Sequence, residues 1–243
     1  MKDRLHKIIA RSGLTSRRKA EDLIRQGRVQ VNGTVVTTQG AKADAANDSI
    51  EIDGVALEKP ENRVYIVLNK PGGHITSRHD PQGRPTVYSL ISSVPERVFS
   101  VGRLDFDTEG LLVMTNDGEM AQAMQHPRYG IPRTYLVKVH GVPSQQALQK
   151  LRKGIVIDGI KTSRATIRVL EKTLKNTWLE VILREGRNRQ IKKMFDISGY
   201  RTMRIKRTAF GPLLLGKLPS GRYRFMNKTE ISSLRKLIQG KGL

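Results

Sequence analysis

Strand-like patterns outnumber helical ones in most of this 243-residue sequence, and many lie next to one another along the chain. Gly154–Asp158, Ala165–Leu170 and Thr177–Leu183 follow in succession, joined by turns and loops. Val64–Leu68 and Arg133–Val139 are two further strand patterns. We therefore expect an α+β fold on a mixed, mainly antiparallel sheet.

Helical patterns are shorter and fewer in this part of the chain. They cover about Glu119–Gln125, Pro143–Arg152, a segment from Asn188 and Lys228–Ile238. In the helix from Asn188, Ile191, Met194 and Phe195 share one side and face the sheet, whereas Arg189, Lys192 and Lys193 share the other. The basic side is expected to face a polyanion or an acidic loop.

Residues 1–58 have the pattern of a separate small domain. Leu5–Ile9 begins a helix, and Thr15 or Ser16 is placed to cap a second one. Asn32-Gly33 and Asp53-Gly54 are each flanked by strand residues and predict two hairpins. A polar segment containing Pro predicts a linker at 59–62, which leaves 63–243 as the larger domain.

The charge balance predicts a polyanionic partner. The chain has 44 Lys and Arg against 22 Asp and Glu, a formal net charge of +22. No long basic amphipathic helix points to a membrane surface, so nucleic acid is the preferred partner. The absence of cysteine excludes disulfides and thiolate metal sites and, with no signal-peptide pattern, favours a cytoplasmic protein.

Basic residues are concentrated on the second predicted helix. They are Arg17, Arg18, Lys19 and Arg25, the first three at the helix start, where backbone N–H groups also favour anions. The surrounding string SRRKAEDLIRQGRVQVNG resembles the alpha-L RNA-binding domain. That resemblance implies RNA contact by these side chains.

A long basic loop, 76–86, contains several Gly and Pro residues, and Arg78 and Arg84 could reach a backbone phosphate there. His74, His79 and Asp80 lie in or beside this loop, but their spacing matches no common metal-ligand pattern. We expect no metal site.

Three acids fall within five residues in the segment 101–118, VGRLDFDTEGLLVMTNDG. On one face of a regular strand, Asp105, Asp107 and Glu109 would repel one another, so we expect a loop between two strands. Loops held by a rigid scaffold often carry site residues. Spacing alone leaves a solvated acidic loop equally open.

The string GRLDFDTEGLLVMTNDG resembles the catalytic motif of the Rsu/Rlu-type pseudouridine synthases. The resemblance implies that Asp105 is the catalytic residue, that Tyr135 in PRTYLVKV stacks on the target base, and that the basic residue paired with the aspartate is Lys192 in EGRNRQIKKMF. Relatives more often have Arg at the position of Lys192. Lys is a point charge without the planar fork of Arg, so its ion pair with the aspartate is expected to be looser.

Further contacts are expected around these three residues. In RIKRTAFGPLLLGKLPSG, which resembles the closing motif of the family, Ile205 would form an apolar wall of the pocket. Arg103, Asn188 and Arg189 are candidates for holding the RNA backbone or the flipped base. The match assigns no chemistry to Asp107 and Glu109.

The resemblance implies conversion of a defined uridine to pseudouridine in ribosomal RNA, preferably large-subunit RNA, by a monomer without a cofactor. A flipped-out base would meet a carboxylate that attacks the ribose or removes a neighbouring proton. The alternatives are a synthase acting on small-subunit RNA, a non-enzymatic RNA-binding assembly factor, and a glycoside hydrolase using the acidic loop.

Overall fold

A computed structural model of the chain describes residues 2–58 and 61–240. The backbone forms two compact units, Met1–Arg63 with Pro95–Arg97, and Val64–Val94 with Val98–Leu243. Within the predicted linker, residues 59 and 60 lie outside the described part. The sequence contained no signal for the assignment of Pro95–Arg97 to the first unit.

The first unit consists of two helices and short strands. They are β1 (Asp3–Arg4), α1 (Leu5–Arg11), α2 (Arg17–Arg25), β2 (Val29–Val31), β3 (Thr34–Val35), β4 (Lys42–Ala43), β5 (Ile50–Ile52) and β6 (Val55–Ala56). Four of these strands form a sheet in the order β3-β2-β5-β6, and β1 pairs with β4 in a separate two-stranded sheet.

The predicted caps and turns of the first unit are present. Ser16 Oγ accepts a hydrogen bond from the Lys19 N–H at 3.2 Å, which satisfies an otherwise free donor at the start of α2. Asn32 and Asp53 have φ values of 52° and 53°, and each precedes a glycine that also has positive φ, as a type I′ hairpin requires. The apolar sides of both helices pack on the sheet.

The second unit contains the larger sheet. Its elements are β7 (Tyr65–Lys70), β8 (Phe99–Ser100), β9 (Glu109–Thr115), α3 (Gly118–Gln125), β10 (Arg133–His140), α4 (Gln145–Lys153), β11 (Val156–Ile157), β12 (Ile160–Lys161), β13 (Thr166–Lys172), β14 (Asn176–Leu183), α5 (Gln190–Ile197), β15 (Thr202–Phe210), β16 (Leu213–Leu214), β17 (Tyr223–Phe225) and α6 (Lys228–Gln239). Short 3₁₀ turns occupy Val87–Ile91 and Pro127–Tyr129.

The main sheet has the strand order β13-β14-β10-β15-β9-β7-β17, with β16 beside β15 and β8 beside β9. β9 and β15 run parallel, and the other described pairs in this sheet are antiparallel. The expected α+β fold on a mixed, mainly antiparallel sheet is confirmed. β11 and β12 form a separate hairpin.

The middle of the sheet is covered on both faces. Along β7, Tyr65 and Val67 pack with α3 and α6, whereas Ile66 and Leu68 pack with the 3₁₀ turn Val87–Ile91. A second core lies between α4, α5 and the strands β10, β14 and β15. This burial fixes β10, which carries Tyr135, and the start of β9, which follows the segment that contains Asp105.

The helix expected from Asn188 begins two residues later, at Gln190. Arg189 has a φ of 50°, in the left-handed region, so a right-handed helix cannot include it. Ile191, Met194 and Phe195 are buried as expected. Within residues 2–58 and 61–240, no helix is both long and apolar enough to cross a membrane.

Candidate active site

The acidic loop, defined here as Leu104–Thr108, lies between β8 and β9 and is held by its backbone. The Thr108 N–H donates to the Asp105 carbonyl at 3.1 Å and closes a turn. The Gly73 N–H donates to the Phe106 carbonyl at 2.8 Å, and Thr76 Oγ1 donates to the Leu104 carbonyl at 2.9 Å. The loop is therefore fixed to the segment that follows β7.

Lys70 holds the acidic loop from its buried side. Its ammonium donates to the carbonyls of Phe106 and Thr108 at 3.1 and 2.8 Å, and to that of Pro71 at 3.0 Å. The residue is fully buried, and burial lowers the pKa of its amine to about 8, although the charges of Asp107, Asp105 and Glu109 oppose that shift. The sequence pattern around Lys70 did not indicate this role.

The acidic loop forms one wall of an open cleft. Strands β10, β14 and β15 contribute further side chains, and the opposite wall comes from the segment 185–192, which leads into α5. The lining residues are Arg103, Leu104, Asp105, Thr108, Tyr135, Leu183, Glu185, Gly186, Arg187, Arg189, Gln190, Ile191, Lys192 and Ile205. Asp105, Tyr135 and Lys192, which come from three separated motifs, thus meet in one cleft.

Lys192 pairs with both nearby acids, but unequally. Its ammonium lies 2.5 and 2.6 Å from the two carboxylate oxygens of Asp107 and 3.9 Å from Asp105 Oδ2. The partner expected from the resemblance was Asp105 alone. Both oxygens of Asp107 accept hydrogen bonds from the ammonium, and Asp105 is left with the longer ionic contact.

The ion pair keeps Asp107 charged. Partial burial favours its neutral form, but the hydrogen bond from Lys192 and the charges of Lys192 and Arg189 outweigh burial, so the pKa of Asp107 lies below its ordinary value. The Lys192 side chain is only 13% exposed. The enclosed ammonium of Lys192 therefore lies beside two carboxylates, of which Asp105 lines the cleft and Asp107 does not.

Glu109 faces away from this cluster. It accepts two hydrogen bonds from Arg204, at 3.0 and 2.8 Å, which join the start of β9 to β15 and raise the pKa of that guanidinium. Glu109 does not line the cleft. Its observed role is structural.

A polar network that the sequence analysis did not identify holds the opposite wall. Glu185 accepts from the Ser163 N–H at 2.9 Å and from Gln190 at 2.7 Å. Arg187 donates to the carbonyls of Ile160 and Lys161 at 3.0 and 2.7 Å. Only the density of polar residues in REGRNRQ indicated such a network, and its partners outside this string lie more than twenty residues away.

The predicted RNA-contact residues of the second unit fall into two groups. Arg103, Arg189 and Ile205 line the cleft, and the first two are exposed. Asn188 is exposed but is not among the lining residues.

The guanidinium groups of Arg78 and Arg84 both contact other protein groups. The Arg78 guanidinium lies 4.5 Å from the centre of the Tyr88 ring and donates to the Val98 carbonyl. Arg84 donates to both oxygens of Asp80, at 2.9 and 2.8 Å, and these hydrogen bonds lower the pKa of Asp80 to about 2. In the part of the chain that the structure describes, no three His, Asp or Glu side chains are grouped as a metal site would require.

The basic residues of the first unit lie on α2. Arg17, Arg18 and Lys19 occupy its exposed first turn, and Arg25 at its end is exposed but paired with Asp22 at 2.6 Å. Their role in RNA contact stays a prediction.

Comparison with known proteins identifies both units. A family model described as RNA pseudouridylate synthase matches residues 64–196, and the S4 domain model matches residues 3–50. An uncharacterized RNA pseudouridine synthase of Aquifex aeolicus is 43% identical over 98% of this chain and 96% of its own length. The ribosomal large subunit pseudouridine synthase B of Bacillus subtilis is 41% identical over 97% and 96%.

A solved structure agrees with these matches. A crystal structure of pseudouridylate synthase superposes with a TM-score of 0.67 at 30% identity, covering 95% of this chain and 99% of the other. The resemblance stated from the motifs is confirmed, and the chain belongs to the RNA pseudouridylate synthase family, with an S4 domain at its N-terminus.

Proposed function

We propose that this enzyme converts a defined uridine of ribosomal RNA, in the large subunit, to pseudouridine, with Asp105 as its catalytic residue. The observation that carries the proposal is the meeting of Asp105, Tyr135 and Lys192 in one cleft. The choice of RNA rests on the similarity to the large-subunit synthase of Bacillus subtilis over nearly the whole of both chains.

The reaction is an isomerisation and needs no second substrate. The bond from N1 of the base to C1′ of the ribose breaks, the base turns, and C5 bonds to C1′ while the C5 proton is lost and N1 regains one. A base within a stacked helix cannot do this, so the nucleotide must leave the stack and enter the cleft.

The residues of the cleft suit these steps. The Asp105 carboxylate attacks C1′ or removes the neighbouring proton, and both routes are compatible with its position. The half-buried Tyr135 ring stacks on the loose base while it turns, and Ile205 forms an apolar wall. Lys192 supplies positive charge at 3.9 Å from Asp105.

The rest of the chain supplies RNA affinity. The net charge of +22 and the basic first turn of α2 in the S4 domain suit phosphate contact. We further propose that the enzyme acts in the cytoplasm. A steep fall in RNA affinity with added salt would support this part of the proposal.

Tritium release from RNA labelled at C5 of uridine tests the reaction, since the label leaves only when C5 joins the ribose. Wild type should release tritium from large-subunit RNA and not from small-subunit RNA, and Asp105→Asn should release none. Release from small-subunit RNA alone would reassign the substrate. Release by the Asp105→Asn variant at the wild-type rate would mean that another group is catalytic.

A further inference from the structure

Phe106 is an exposed aromatic residue at the tip of the acidic loop, between Asp105 and Asp107. About 45% of its surface is accessible to solvent. Aromatic residues make up only 5% of the chain, and most of a Phe side chain is normally buried. The proposed chemistry gives this ring no role.

The exposure of Phe106 does not reflect a loose loop. Its carbonyl accepts hydrogen bonds from the buried Lys70 ammonium at 3.1 Å and from the Gly73 N–H at 2.8 Å. The neighbouring turn is closed by Thr108. A fixed backbone presents the ring in advance, so little conformational entropy is lost when a flat ligand binds it.

The ring lies outside the cleft. Asp105 and Thr108, on either side of it in the sequence, line the cleft, whereas Phe106 does not. Phe106 therefore cannot hold the base that enters the cleft beside Tyr135. It is placed to contact what lies at the rim.

Arg84, which is paired with Asp80, places a planar guanidinium beside the ring. Its guanidinium carbon lies 5.9 Å from the centre of the Phe106 ring, and two hydrogen bonds to Asp80 fix its orientation. An aromatic face next to a guanidinium, in a protein of net charge +22, matches a nucleotide, which has a flat base and an anionic phosphate.

We propose that Phe106 stacks on a nucleobase next to the nucleotide held in the cleft, with Arg84 alongside the ring. This inference rests on the proposed function, because it requires an RNA strand at the cleft. A nucleotide that leaves its stack exposes the faces of its neighbours, and a rigid aromatic ring at the rim replaces one lost contact. Phe106 is thus a positioning residue for the RNA strand.

Tryptophan fluorescence tests the stacking directly, because a base stacked on indole quenches its emission. The chain has a single tryptophan, Trp178, so Trp178→Phe provides a silent background for a reporter. Phe106→Trp in this background is compared with Phe225→Trp, since Phe225 is 56% exposed and does not line the cleft. The probe is a transcript of large-subunit ribosomal RNA, with heparin as a polyanion without bases.

We expect RNA to quench the reporter at 106 strongly and the reporter at 225 little, with no quenching at 106 by heparin. Equal quenching at both positions, equal quenching by heparin, or none at 106 would overturn the proposal. Circular dichroism spectra that match wild type establish that the variants are folded.

Kinetics distinguish stacking from a structural role. Phe106→Ala should lower kcat/KM by roughly five- to hundredfold, mainly through KM, while Phe106→Tyr and Phe225→Ala stay near wild type. A loss in kcat alone, or no rescue by tyrosine, would contradict stacking. Tritium release by wild type without quenching at 106 would overturn this inference and leave the proposed function in place. Quenching at 106 without tritium release would overturn the proposed reaction and leave the stacking of Phe106 on RNA in place.

Discussion

The Lys192 ammonium lies 2.5 Å from Asp107 Oδ1 and 3.9 Å from Asp105 Oδ2, so one enclosed cation serves two carboxylates of the same loop. The closer contact engages the acid that does not line the cleft, and Asp105 faces the cleft without a tight ion pair. A carboxylate free of a short hydrogen bond to ammonium is the better nucleophile or base.

Removing the charge of Lys192 should impair catalysis more than replacing it with another cation. Lys192→Met leaves two carboxylates in a partly enclosed site without compensation, and we expect kcat to fall roughly a hundredfold. Lys192→Arg keeps the charge and can reach both acids with its planar fork, so its kcat should stay within about tenfold of wild type. Single-turnover tritium release measures both, and equal losses in the two variants would contradict a role for the charge.

The two acids should differ in their effect on turnover. Asp105→Asn should lower kcat by at least about a thousandfold, because its carboxylate carries the chemistry. Asp107→Asn should lower kcat by about tenfold or less, because the Lys192 ammonium remains close enough to Asp105 to pair with it. Glu109→Gln, which alters the pair with Arg204 outside the cleft, is the matched control and should have little effect on kcat. A larger loss for Asp107→Asn than for Asp105→Asn would exchange their roles.

The sequence predicted local structure well because caps, turns and periodicity are local signals. The side chain of Ser16 suits a helix cap, and it caps α2 as expected. The positive φ values that a type I′ turn requires are found at Asn32-Gly33 and Asp53-Gly54, as their sequence predicted. The loop between two strands was also expected and is observed for Asp105 and Asp107, but the expectation was wrong for Glu109, which is the first residue of β9. Identification of Asp105 and Tyr135 as site residues needed the family motif, since neither stands out by residue type alone.

Contacts between distant segments could not be predicted in the same way. Lysine is rarely buried, yet Lys70 is, and two of its three carbonyl acceptors lie 36 and 38 residues further along the chain. The preference of Lys192 for Asp107 is the difference between contacts of 2.5 and 3.9 Å from helix α5 to the acidic loop. Neither relationship leaves a periodic or compositional trace.

Lys70 should make the free energy of unfolding depend on pH above neutrality. Burial lowers the pKa of its amine from 10.5 to about 8, so between these values the unfolded state binds more protons than the folded state. Stability then rises with pH across this window, because the cost of burying a charged amine disappears as the amine becomes neutral. The gain from pH 7 to pH 9.5 should be about 2 kcal/mol.

The comparison with Lys70→Met isolates this contribution. The variant cannot titrate there and leaves the loop carbonyls without donors, so it should be less stable than wild type, by an amount that grows by about 2 kcal/mol between pH 7 and pH 9.5. Urea unfolding at the two pH values measures both differences. A difference that stays constant with pH would mean that the amine does not titrate near 8.

Gly110 is required where β9 passes closest to β15. Its φ is 101°, and a Cβ atom there would lie 2.2 Å from the Arg207 carbonyl oxygen, so any side chain would force the two parallel strands apart. Gly110→Ala should destabilise the second unit by more than about 3 kcal/mol. Gly159→Ala is the matched control, since its φ is 78° and its Cβ would meet open space, and it should cost only about 1 kcal/mol. Thermal unfolding of the two variants measures the difference, and similar losses would show that positive φ, rather than the close approach of Arg207, imposes glycine at position 110.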